Sequence, residues 1–320
     1  MLSTSSLASA REPAFRDRVG GFLELGKARL SALVLMTTLI GFFLGSPALF
    51  DWRAAIVAMV GTGLAALGAN ALNQCIEHER DARMQRTRKR PLPSGLLTLR
   101  EAWAFAISAS VLGPAILAIG VNVLSGALAA LCLLIYVLAY TPMKTRSPLN
   151  TLVGAVTGAI PPMVGWAAAA EEISAGAWIL GAILFIWQIP HFLALAWLYR
   201  EDYERGGFKM LPSCDPDGGI TCQAVLLHSL ALIPATLMLS FAGVTSAVFA
   251  GGALVLGLGF VALAARLYRE RTSANARKVF LASVIYLPIL IGLMAVDRHP
   301  ARTAFNGGTT AEVAPAIASR

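Results

Sequence analysis

The chain has 320 residues, 57% of them hydrophobic and only 14% charged, with a mean hydropathy of +0.67. That is too apolar for a water-soluble domain of this length and places the chain in the lipid bilayer as an integral membrane protein. The formal charge of +8 reads as an orientation signal and gives no reason to invoke nucleic acid.

A helical span needs about 20 mostly apolar residues. Nine stretches qualify, at roughly 28–49, 54–76, 102–120, 123–141, 150–170, 175–198, 223–243, 246–267 and 279–296. They are rich in Leu, Ala, Ile and Gly and lack the alternation of an outer-membrane barrel, so an all-α bundle of nine transmembrane helices is expected. The first 20 residues, MLSTSSLASAREPAFRDRVG, hold Glu12 and Asp17 and no apolar core, unlike a secretory signal. The expected organisation is a disordered segment at 1–21, one nine-helix domain at 22–298 and a disordered tail at 299–320. Cys75, Cys132, Cys214 and Cys222 contain no CxxC pair, so neither a disulfide nor a structural zinc site is expected.

With the N-terminus inside, all of the 26 Lys and Arg except Arg53, Arg298, Arg302 and Arg320 fall on the inner side. This asymmetry predicts a cytoplasmic N-terminus and an outer C-terminus. The outer loops are short, whereas long polar loops follow spans two and six, so any chemistry is expected at the inner face. The two long loops close on RPLPSG (90–95) and KMLPSC (209–214), a hint of internal duplication.

The first long loop begins with NQCIEHERDARMQRTRKRPLPSG, residues 73–95. Asn73, Glu77 and Asp81 are spaced by four, so a continuing helix lines them on one stripe with Cβ atoms about 5–6 Å apart. Two carboxylates beside the lipid boundary repel each other, and ionisable groups at that depth face a cavity or a partner. A hard divalent cation resolves the repulsion, and Mg²⁺ favours one or two carboxylates plus substrate phosphates. The arginines that follow supply bidentate donors for a phosphate. A plainer reading stands beside this one: Glu77 and Asp81 pair with Arg80, Arg83 or Arg86 at a solvated helix end. The second loop adds His191, Arg200, Glu201, Asp202, Tyr203, Glu204 and Arg205, and YTPMKTRSPLN (140–150) adds Lys144 and Arg146 between the two. Tyr140 also fits an ordinary interfacial aromatic. Pro161 and Pro162 are expected to bend span five and open backbone groups near a cavity. Gly154, Gly158 and Gly165 read as close-packing positions.

The stretch at 73–95 resembles the first acidic motif of the UbiA-type intramembrane prenyltransferases, N-x-x-x-[DE]-x-x-x-D followed by R-T-x-x-R-P-L-P-x-G. YTPMKTRSPLNTLVGAVTGAIPPMVGW and WQIPHFLALAWLYREDYERGGFKMLP resemble the branch of that family that modifies haem. The likeness runs from about residue 22 to 296. It implies a bundle enclosing an apolar chamber, and transfer of a farnesyl group from farnesyl diphosphate to a vinyl group of haem B, with water adding to give haem O. By the resemblance, Mg²⁺ is held by Asn73, Glu77 and Asp81 on one side and Asp202 and Glu201 on the other. Glu77, Asp81 and Asp202 are then the catalytic acids, and Arg86, Arg90, Lys144 and Arg146 hold the diphosphate. His191 would orient the haem, contact the diphosphate or hydrogen-bond within the bundle, and Tyr140 would touch substrate. The chain departs from many relatives outside the haem branch at Gln74 and Glu77, where those carry Asp, and its second motif lacks a clear run of aspartates. A bacterial inner membrane is the implied setting, with the active site at the cytoplasmic face and a haem A synthase or oxidase assembly factors as candidate partners. Two alternatives stay open: a quinone-precursor or other aromatic acceptor on the same fold, and an anion transporter.

Overall fold

A computed structural model describes residues 15–47 and 49–298. Among these residues the chain is helical, in the order α1 (Phe15–Leu25), α2 (Ala28–Gly45), α3 (Trp52–Asp81), α4 (Leu99–Gly120) and α5 (Val123–Leu134). The last runs through a π-helical stretch, Ile135–Tyr140, into α6 (Thr141–Met143). Then come α7 (Asn150–Ala170), α8 (Ala175–Leu198), the short α9 (Arg200–Arg205) and α10 (Leu211–Cys214), α11 (Gly219–Phe241), α12 (Ala247–Arg269) and α13 (Ser273–Val296). Nine of the described segments are long and apolar enough to cross a bilayer, close to the expected spans. The expected disorder at 1–14 and 299–320 lies outside the described residues. Residues 15–21 differ from expectation: they form the first turns of α1, pinned where Arg18 pairs with Glu101 and Phe22 meets Phe105 at 5.3 Å.

Local chemistry explains where the helices start. Asp51 accepts from the Ala54 amide to cap α3, and Asn122 does the same for α5 through Ser125. Thr98 and Glu101 form a reciprocal capping box on α4, satisfying amide donors that the first turn leaves unpaired. The π-helical stretch sits directly before Pro142, which has no N–H to give the Leu138 carbonyl. The Thr141 amide and hydroxyl both donate to the Tyr136 carbonyl instead.

Small residues let the helices meet. A side-chain carbon added at Gly41 would lie 2.0 Å from the Pro162 carbonyl oxygen, and one at Gly165 would lie 1.9 Å from that of Thr38, so α2 and α7 touch backbone to backbone. Gly68 and Gly113 do the same for α3 and α4, at 2.5 Å from the Ser110 amide and 2.4 Å from the Ala65 amide. Lipid gives helices no hydrophobic reason to associate with one another, so such close contact is what binds them. Helices α8 and α11–α13 share a second core around Trp166, Leu180, Leu232, Phe249 and Phe260, while Val111, Ile119, Val255 and Ile285 face outward, as lipid requires.

The two long loops lock together over one end of the bundle. One Asp202 oxygen accepts from the Gln85 amide at 2.8 Å and from Arg205 at 2.7 Å, and the other accepts from the Arg86 amide at 3.2 Å. The Lys209 amide donates to the Lys144 carbonyl at 2.7 Å, and the Asn150 side chain donates to the Lys209 carbonyl at 2.8 Å. Partial burial pulls the Asp202 pKa up, but Arg205 and the two amides outweigh it and leave the value below normal.

Gly165→Leu should lower the thermal stability of the detergent-solubilised protein by about 1–3 kcal/mol, whereas Gly259→Ala, with open space around the position, should leave it unchanged. Because the Asp202 pKa is depressed, its contribution is present above the ordinary aspartate value of about 4 and is lost as pH falls through the lower folded value. Hydrogen exchange should therefore find the Gln85 and Arg86 amides protected at neutral and mildly acid pH and released only at stronger acidity. In Asp202→Ala they should exchange fast at every pH.

Candidate active site

A cavity of about 340 Å³ opens at the loop-covered end and runs inward between α2, α3, α5, α7 and α8. Its mouth is ionic. The last turns of α3 bring Asn73, Glu77 and Asp81 to its wall, each at least nine-tenths buried, so the helix continues as the four-residue spacing predicts. Each of the three is met by a cation from a different element. Arg90, on the first loop, is 2.6 Å from Asp81. Lys144, just past α6, is 3.0 Å from Glu77. Lys27, between α1 and α2, donates to the Asn73 oxygen at 3.2 Å, and the Asn73 amide nitrogen donates to Thr141.

The cations are themselves braced. Lys144 lies 4.6 Å from the Tyr140 ring centroid and 5.9 Å from that of Phe208, a cation–π arrangement. Burial works against its charge, but Tyr140 and Glu77 outweigh that and hold its pKa above the usual lysine value. Arg86 rests on Tyr199 and Tyr203 and donates to the Tyr203 hydroxyl at 3.3 Å. Lys27 takes a left-handed backbone conformation with φ 49°, which costs a non-glycine residue about 1–3 kcal/mol. The Gln74 side chain stabilises that turn by donating to the Glu24 and Leu25 carbonyls, which gives a use to one of the two departures noted in the first motif. Burial, followed by the charges of Arg90 and Lys144, pushes the Lys27 pKa down to about 7.

Of the residues singled out in the sequence, Asn73, Glu77, Asp81, Arg86, Arg90, Lys144 and Tyr140 line the cavity. Arg146 and Glu201 are exposed and lie off its wall, and Asp202 gives its oxygens to the first loop. His191 turns toward α13, stacked on Trp187 at 5.0 Å, with Nδ1 2.7 Å from the Ser283 hydroxyl. The Ser283 hydroxyl also lies 2.6 Å from the Phe280 carbonyl, so it links the His191 ring to the backbone of α13. Sequence reasoning passed over Lys27, Tyr136, Thr141 and Gln188. Lys27 stands with Arg29 at the start of an apolar run, where a cation reads as an orientation signal, and the other three carried no signal.

Among the described residues no three acidic, His or Cys side chains converge as a ready-made metal cage. The stripe nevertheless fits a hard cation completed by phosphate oxygens: two carboxylates and an amide oxygen share one wall of the cavity, an all-oxygen donor set of the kind Mg²⁺ takes. Beyond the mouth the cavity wall becomes apolar and aromatic, with Leu30, Val34, Ala66, Ala69, Tyr136 and Phe192. The arrangement can grip an anion at one end and shelter an apolar tail behind it.

The sequence pattern of the UbiA prenyltransferase family matches residues 34–302. The chain is 44% identical over 286 residues to a protoheme IX farnesyltransferase of Solibacter usitatus, covering 87% of this chain and 98% of that one. It is 42% identical to the human mitochondrial protein of the same name, covering 89% of this chain and 63% of that one, so it spans slightly less than two thirds of this longer relative. Among solved structures, a digeranylgeranylglyceryl phosphate synthase superposes with a TM-score of 0.75 at 17% identity, over 88% of this chain and 98% of that one. A UbiA homologue from Archaeoglobus fulgidus bound to DMAPP and Mg²⁺ superposes with a TM-score of 0.64 at 14% identity, over 86% and 99%. The chain belongs to the UbiA prenyltransferase family, alongside the protoheme IX farnesyltransferases, and is a membrane-embedded prenyltransferase.

Proposed function

We propose that the chain transfers a farnesyl group from farnesyl diphosphate to a vinyl group of haem B, with addition of water, giving haem O and diphosphate for terminal oxidases. The observation that carries this reading is the ladder of paired oxygens and cations at the mouth of an apolar chamber. Diphosphate is the leaving group that needs both signs of charge there, and a farnesyl chain is the apolar tail that needs the space behind. At about 340 Å³ the cavity lies within the roughly 300–1,000 Å³ of ligand pockets. The named relatives support haem as acceptor, and the homologue structures with DMAPP or GPP and Mg²⁺ support a metal-dependent prenyl diphosphate site.

Asn73, Glu77 and Asp81 are the residues that would hold Mg²⁺, which supplies Lewis-acid charge when bound. Lys27, Arg90 and Lys144 rest on those same oxygens, so they are poised to turn onto the diphosphate as it enters, with Arg86 closing from the loop. As the carbon–oxygen bond breaks, these cations stabilise the charge growing on the diphosphate. Tyr140, Tyr136 and Phe192 line the adjoining wall, keep bulk water from the allylic cation and present aromatic faces to it. Asp202 acts at one remove, by holding the loop that carries Arg86 and Arg90. The distribution of Lys and Arg favours an orientation with the N-terminus and this mouth on the inner, cytoplasmic side.

Purified protein given haem B, farnesyl diphosphate and Mg²⁺ should yield a farnesylated haem by mass spectrometry, and EDTA should abolish it. Asp81→Asn should lower turnover ~10²–10³-fold in a protein that still inserts; normal Mg²⁺-dependent turnover would remove Asp81 from the site. Lys144→Met should raise KM for farnesyl diphosphate about tenfold, while Arg146→Ala, outside the cavity, should change it by less than about twofold.

A further inference from the structure

Deeper in the chamber the wall carries a polar group that a prenyl chain does not explain. Gln188 on α8 lines the cavity, is only 6% exposed, and donates its amide nitrogen to the Leu184 carbonyl at 3.0 Å. Its carbonyl oxygen accepts from no described residue. The side chain lies against Gly158 of α7, where an added carbon would fall 1.9 Å from that oxygen, so any side chain there would displace the Gln188 amide from this position. Gly158 is followed four residues later by Pro162, which has no N–H to complete the helical bond to the Gly158 carbonyl. Gly158 also lines the cavity, so a second acceptor in the same wall is without its usual donor. Thr157 has the same loss opposite Pro161, but there the Cys132 thiol steps in, 3.1 Å from the carbonyl.

Two acceptors in one wall of a cavity call for a ligand with two hydrogens to give. A hydrocarbon tail has none. Water has two, and a polar pocket with such partners is where a buried water resides. We infer that Gln188 and the Gly158 carbonyl hold the water that enters the product, and that Gln188 is a positioning residue for the hydration step. This rests on the reaction proposed above.

The chemistry balances as follows. The farnesyl carbon–oxygen bond breaks and its electron pair leaves with diphosphate. The vinyl π pair forms the new carbon–carbon bond from the terminal vinyl carbon, leaving the inner carbon cationic beside the porphyrin. With both hydrogens engaged by the two acceptors, the water directs a lone pair to that carbon and forms the carbon–oxygen bond. Its surplus proton passes to the released diphosphate, the base that the reaction itself supplies. Without a held water the same cation loses a proton from the neighbouring carbon, and the product is an alkene lighter by one water.

The test is the product ratio. Wild type, Gln188→Leu, Gln188→Glu and Gly158→Ala are each incubated with haem B, farnesyl diphosphate and Mg²⁺, with diphosphate release and product mass followed together. Gln188→Leu and Gly158→Ala should still release diphosphate and farnesylate haem, but the ratio of hydrated to alkene product should fall about tenfold or more. Gln188→Glu, which keeps an acceptor, should restore hydration. An unchanged ratio in Gln188→Leu overturns the assignment, as does loss of diphosphate release in Gln188→Leu with the fold intact by thermal unfolding, since Gln188 would then serve an earlier step. Absence of farnesylated haem from wild type is a separate result and counts against the proposed reaction itself.

Discussion

Charge beside hydrocarbon is costly, and the rest of the site is arranged around that cost. Three oxygen-bearing side chains on α3 approach the bilayer interior, and each is matched by a cation supplied from a separate element. Removing Arg90 or Lys144 would strand a buried carboxylate, and removing Asn73 would take a hydrogen-bond acceptor from Lys27. That coupling ties the turn between α1 and α2, the first long loop and the segment just past α6 to one helix. It also leaves the mouth filled with groups that can exchange partners when a diphosphate arrives, without net charge having to be carried into the membrane.

Glycine and proline do complementary work around this centre. Glycines at 41 and 165 bring α2 and α7 into backbone contact. Gly154 and Gly158 do something different: they leave flat backbone against which the Tyr140 ring and the Gln188 amide lie. Prolines open carbonyls along the same wall. The resulting polarity runs from ionic at the mouth, through aromatic, to a small polar notch in an otherwise apolar interior. Each step of a prenyl transfer meets the environment it needs along that gradient.

Much of this was legible in the sequence because it depends on local periodicity. The nine spans follow from hydropathy, and the shared face of Asn73, Glu77 and Asp81 follows from helical spacing. Which cation meets which oxygen depends on how helices far apart in the chain pack, and no spacing encodes that. Lys27 was passed over for this reason, and Asp202 read as a metal ligand although its oxygens cap backbone amides of the other loop. His191, a histidine inside a span, carried a signal of type but none of direction; its ring turns to α13. Gly158 was recognised as a packing position, but that it seats Gln188 required coordinates.

The central claim is that the α3 stripe and its cations together form a metal-dependent diphosphate grip. The most direct measurement is the thermal stabilisation of the purified protein by farnesyl diphosphate, titrated with and without Mg²⁺, in wild type and Glu77→Gln. A ligand that binds only the folded state raises stability with the logarithm of its concentration. Stabilisation that needs Mg²⁺ in wild type and is lost in Glu77→Gln is the predicted result. Equal stabilisation with and without the metal, unchanged by the substitution, would contradict it.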